Sequence, residues 1–129
     1  MTPQHKLQHL ILVKAAEFDD SLTVPPMDAD AISAAYQDLI DNEQLWDAES
    51  ETREGQVETD IPCQSSRHYE SKSVAAQCRD GSWVGWTYWY GGGKYGEPEA
   101  IEWICDAYDL TVTEEEKVVT VRTFKKVPA

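Results

Sequence analysis

Apolar residues recur at helical spacing in the first third of this chain and on alternate positions later, and that change of period divides it. Across residues 4–18, Leu7, Leu10, Ile11 and Phe18 share a helical side with Ala15, which predicts a helix. The short run Leu10-Ile-Leu-Val13 also fits a buried strand, so both readings stand there. Pro25-Pro26 breaks the chain, because proline removes a donor and clashes with the preceding turn. Asp28 or Asp30 then caps a second helix running to about Leu45. Ile32, Ala35, Tyr36, Leu39 and Ile40 form its apolar stripe, with Asp38, Asp41 and Glu43 largely off it.

Residues 47–65 are polar, acidic and without period, and read as an exposed connector between a helical half and a β half. From residue 67 the pattern alternates. Residues 67–78 predict a strand, Asp80-Gly81 a turn, and residues 82–90 a second strand that is densely aromatic. Gly91, Gly92, Gly93 and Gly96 follow as a turning loop around Lys94 and Tyr95. Pro98 with Ile101, Ile104, Cys105 and Tyr108 predicts a short helix. Tyr108, Leu110 and Val112 then alternate as a strand, Glu114–Lys117 turn, and Val118–Phe124 make a β-branched fourth strand with Lys125 and Lys126 at an edge. The expected architecture is α+β, with N-terminal helices packed on a four-stranded antiparallel meander. It forms one domain: residues 1–46 helical and acidic, 47–65 connecting, 66–126 β-rich.

Length and composition support a packed domain. The chain has 129 residues, 41% of them hydrophobic, with five tryptophans. That is enough to bury a core without staples. No apolar run approaches the roughly 20 residues that span a bilayer. Leu10–Val13 is too short for a signal-peptide core, and no small-residue cleavage site follows it. The chain therefore reads as soluble and cytoplasmic. Cys63, Cys78 and Cys105 are odd in number and widely spaced, as expected for free thiols in a reducing compartment. A metal site joining them to His5, His9 or His68 lacks the usual close-spaced ligand pairs. His5 and His9 are one turn apart, yet the rest of a zinc motif is missing, so they read as two surface histidines.

Charge is more informative than composition. The formal net charge is -13, and residues 17–60 hold fourteen carboxylates against a single base, Arg53. A field of this sign disfavours direct binding to nucleic acid or an anionic membrane and favours basic protein surfaces. The plain reading is a solvated, solubilising face; the sharper one is mimicry of a nucleic-acid backbone. Asp19-Asp20 and Asp28-Ala-Asp30 lack the glycine and final glutamate of a calcium loop.

Candidate chemistry centres on the aromatic strand. Val84, Trp86, Tyr88 and Tyr90 share one face; Trp83, Gly85, Thr87 and Trp89 share the other. If the helices cover the first face, Trp83 and Trp89 flank Gly85 as a notch between two indoles, suited to a sugar, a base, a cation or a protein hot spot. The competing reading is that both faces are covered within the chain. Arg67, His68, Glu70, Lys94, Tyr95 and Glu97 flank this hairpin and complete the candidate pocket. Gly91-Gly-Gly-Lys94 lacks the spacing of a phosphate loop, and Tyr95 stands where a magnesium hydroxyl belongs. Ser65-Ser-Arg-His68 has no nucleophile-elbow pattern, and Cys78 or Cys105 with His68 has no local signature. Glu97 and Glu99 offer acid/base groups without a spacing rule to test. No catalytic residue, metal ligand or cofactor is assigned.

The run from Gly81-Ser-Trp-Val-Gly-Trp-Thr-Tyr-Trp-Tyr through Gly-Gly-Gly-Lys-Tyr-Gly-Glu-Pro-Glu-Ala-Ile-Glu-Trp103, with Ala-Tyr-Asp-Leu110 and Glu-Glu-Glu-Lys-Val-Val-Thr-Val-Arg-Thr-Phe124, resembles small uncharacterised proteins of bacterial phages, prophages and plasmids. The resemblance covers about residues 66–126 and leaves out the acidic half. It implies a bacterial cytoplasm and an accessory role, and small acidic proteins of such elements are sometimes inhibitors of host defence. The expectation is a non-enzymatic regulatory protein that binds a protein partner of basic character. The alternative is a small-ligand module or enzyme using the aromatic hairpin and glycine loop.

Overall fold

A computed structural model describes residues 1–128. Three helices come first, α1 (Pro3–Phe18), α2 (Ala29–Asp41) and α3 (Leu45–Arg53). Four strands follow, β1 (Val57–Glu58), β2 (Glu70–Gln77), β3 (Trp83–Tyr90) and β4 (Tyr108–Leu110), in the spatial order β1-β2-β3-β4 and all antiparallel. The fold is thus the expected helices-plus-meander, with different outer members.

α1 starts at a capping box. Thr2 Oγ1 accepts from the His5 amide while the His5 ring accepts from the Thr2 amide, and Pro3 occupies the first turn where its missing donor costs nothing. Its inner face buries Leu7, Ile11, Leu12 and Ala15, so the segment Leu10–Val13 is helix. His9 is fully buried rather than a surface residue: its Nε2–H donates to the Pro25 carbonyl at 2.9 Å and pins the proline turn against α1. Asp28 caps α2 through the Ala31 amide, and Ile32 and Leu39 seat that helix.

α3 lies in the stretch read as a connector. Its sequence is polar, and only Ala48 and Thr52, one turn apart, are fully inside; Thr52 Oγ1 donates to the Ala48 carbonyl. Two buried small residues suffice because α1 packs directly on this face. Val57–Glu58 then pairs with Val74–Ala75 as the first edge. Residues 118–124, expected as the fourth strand, carry no regular structure, and residues 111–128 are exposed throughout. Their β-branched composition favours a strand only where a neighbour exists to pair with. The helix expected after Pro98 is two separate 3₁₀ turns, Pro98–Ala100 and Ile104–Asp106, joined by extended backbone at Ile101.

The helices cover the sheet face that carries Val74, Ala76, Val84 and Trp86. Trp86 is its centre: fully buried, 5.8 Å from the Trp103 ring, with its indole N–H donated to the Arg53 carbonyl at 2.8 Å. Lys6 ties α1 to β4 through Asp109 at 2.7 Å. No helix among the described residues is long and apolar enough to cross a membrane.

Candidate functional site

The aromatic strand answers the question of its two faces by burying most of both. Trp89 is buried and Trp83 half-buried. About 20 Å of extended strand separates them at the usual rise per residue. Between them, Tyr108 and Leu110 lean over Gly85 so closely that a Cβ there would lie 2.6 Å from the tyrosine ring. The notch between two indoles is therefore filled by β4 side chains. Further along, the segment after β1 straps across the same face. The Thr59 amide donates to the Ser73 carbonyl, and Ser73 and Ser71 hydroxyls donate to the Ile61 and Gln64 carbonyls. Trp89 sits directly opposite Ser71 in register. Its indole N–H finds no acceptor among the described residues.

The other predicted site residues do not gather into a pocket around these indoles. Arg67 and His68 lie exposed on the loop before β2. Lys94 and Tyr95 are exposed at the loop tip, the ammonium 5.7 Å from the ring centre. Glu97 is exposed, and its amide donates to the Tyr69 hydroxyl at 3.2 Å. The glycine run explains itself by packing. Gly92, at φ 89°, lies against the Tyr69 ring and Gly96, where a Cβ would meet atoms at 2.5 Å. Inside the sheet, Tyr88 and Tyr90 stack at 5.4 Å, with Arg53 over Tyr88 and Lys72 over both. Burial pushes the Cys78 thiol up, and desolvation with Asp106 and Glu102 does the same to Cys105, away from the reactive thiolate. Among the described residues, no group of three His, Cys, Asp or Glu is placed to hold a metal ion.

Two further exposed aromatics lie together where the end of α1 meets the start of α3. Phe18 is 56% exposed and Trp46 70%. A recess of about 360 Å³ is lined by both, with Asp47, Ser50, Glu51 and Glu54. A second, of about 330 Å³, shares Phe18 and Asp47 and adds Asp19 and Glu43. Five carboxylates thus border Phe18 and Trp46, and no base lines either recess. The only base between residues 17 and 60 is turned inward: Arg53 stacks on Tyr88 and donates to the Trp89 carbonyl. Nearby Lys14 is paired with Glu17.

Local hydrogen bonds hold this surface together. Asp19, just past the end of α1, accepts from the Ser21 hydroxyl and amide and from the Gln44 side chain, which fastens α1 to the entry of α3. The Ser21 and Gln44 bonds hold the Asp19 carboxyl below its ordinary range, so it stays charged. Glu43 turns the chain between α2 and α3 at φ 56°, a left-handed position usually given to glycine. Phe18 was legible as a stripe residue, but its exposure follows from the helix ending there. Trp46 was missed; the readable signal was a lone indole set among carboxylates with no apolar company beyond Leu45.

Compared with family models, curated proteins and solved structures, the chain matches none.

Proposed function

We propose that this protein is an accessory or regulatory protein that binds a basic protein partner through the acid-rimmed Phe18–Trp46 surface. The observation that carries the reading is the coincidence of two exposed aromatics with five carboxylates and no base. Large aromatics at the centre of a patch supply desolvation energy, and the surrounding charge steers and selects a basic surface. A nucleic-acid-binding protein is the natural class of target, because its basic face is built to receive a row of negative charge. With the resemblance of residues 66–126 to phage, prophage and plasmid proteins, the reading becomes an inhibitor acting in a bacterial cytoplasm.

The test is capture from bacterial lysate by the wild-type chain and by Phe18→Ala/Trp46→Ala, each at low and high salt. A basic protein retained by the wild type at low salt, released by high salt and displaced by added DNA or RNA supports the proposal. Proteins retained equally by the double variant, or held unchanged at high salt, contradict it.

A further inference from the structure

Lys117–Val127 contrasts with the rest of the chain in both charge and exposure. It holds four bases, Lys117, Arg122, Lys125 and Lys126, and no carboxylate, in a chain of net charge -13. Val118, Val119, Val121, Phe124 and Val127 are all exposed, several almost completely. A β-branched run with its apolar side chains in water has the composition of a strand and lacks only a neighbour.

The sheet offers a vacancy of matching kind. β4 is the outermost strand beside β3 and has three residues against eight in β3, so no strand among the described residues lies on its free side. Carboxylates outnumber bases near it: Asp109 lies within it, paired with Lys6, Asp106 precedes it, and Asp80 is close enough to act on Lys6. A basic strand fits beside an acidic edge. The segment does not turn back onto its own β4, and it remains exposed throughout.

We infer that Val118–Phe124 is a pairing strand for a second copy of this chain, each copy adding its segment to the β4 edge of the other. The exchange is isologous, so one contact made twice occupies the β4 edge of both copies and ends the assembly at two. Each added strand supplies main-chain hydrogen bonds for affinity, while Arg122 and the lysines meet the acidic edge for orientation. This goes beyond the proposed function, because it uses the opposite end of the chain from Phe18 and Trp46.

Sedimentation across a dilution series, with amide hydrogen exchange on the same samples, tests it. The wild type should be a dimer whose 118–124 amides exchange at least about tenfold more slowly than in the dissociated chain. Val121→Pro, which removes a ladder donor at an exposed position, should give a monomer with fast exchange there. Arg122→Glu/Lys125→Glu should weaken the dimer without removing any backbone donor. Trp46→Ala should leave the dimer intact. A wild-type monomer with fast-exchanging 118–124 overturns the inference. A monomer with a protected segment overturns it in favour of pairing within one chain. A dimer indifferent to Val121→Pro overturns it in favour of another interface, as does protection that appears only when a different protein is added.

Discussion

The β2–β3 hairpin and the junction of α1 with α3 use aromatic residues in opposite ways. The hairpin concentrates them: Trp86 is fully buried, Trp89 nearly so, and Tyr88 and Tyr90 stack under Arg53 and Lys72. The helical junction has only Phe18 and Trp46, both exposed and bordered by carboxylates. Aromatic density draws the eye to the hairpin, yet density is what allows rings to bury one another. A single ring among charges has nothing to cover it. In this molecule the sparse region is the one that leaves its rings in water.

The contrast is broken most severely at its core. Trp86→Ala should destabilise the fold by about 3–5 kcal/mol, since it opens a cavity against Trp103 and orphans the Arg53 carbonyl. Trp46→Ala should move stability by no more than about 0.5 kcal/mol, as an exposed substitution. Urea unfolding of the two variants measures both; similar losses would erase the distinction between core and surface indoles.

A smaller effect probes the filled notch. Gly85→Val should cost about 1–3 kcal/mol, because Tyr108 and Leu110 already occupy the space its side chain needs. Its near-UV circular dichroism should change as Tyr108 is displaced. If the variant is as stable as the parent, β4 does not pack over Gly85 in solution.

The helical half has a pH response of its own. Burial first, and the Glu102 charge second, raise the Glu49 carboxyl above its ordinary value of 4.5, partly offset by a hydrogen bond from Trp103. The folded state therefore holds this proton more tightly than the unfolded chain. The group's destabilisation is absent below 4.5, grows as pH rises through the raised value, and stays constant above it. Glu49→Gln should raise the melting temperature at neutral pH and leave it unchanged in acid. An equal shift at both pH values would remove the titration as its cause.

The smallest change concerns the turn that presents Trp46. Glu43→Gly should stabilise by about 0.5–1 kcal/mol through relief of its left-handed backbone. Glu43→Ala keeps the strain while removing the same charge, so thermal melts of the pair separate backbone from electrostatics. Equal melting temperatures would rule strain out.

How much of this was legible depended on how many residues each element buries. The stripe Ile32, Ala35, Tyr36 and Leu39 announced α2, and the alternation around Trp86 announced β3. α3 rests on Ala48 and Thr52, and two positions do not make a period. β1 is two residues long, below any pattern. The reverse case is Val118–Phe124, whose composition reads as strand while pairing, a property of its surroundings, decides otherwise. At the site, the charge of residues 17–60 was readable, as was its one base. The inward turn of Arg53 onto Tyr88, which leaves that charge unopposed, came only from the packing of α3 against the sheet.

The most direct test compares capture by the wild type with capture by Phe18→Ala/Trp46→Ala, two chains of identical charge and near-equal stability. The account predicts that the wild type alone retains a basic protein at low salt and releases it at high salt. Identical retention by both chains, or none by either, would contradict the claim that this acid-rimmed aromatic surface is where the protein acts.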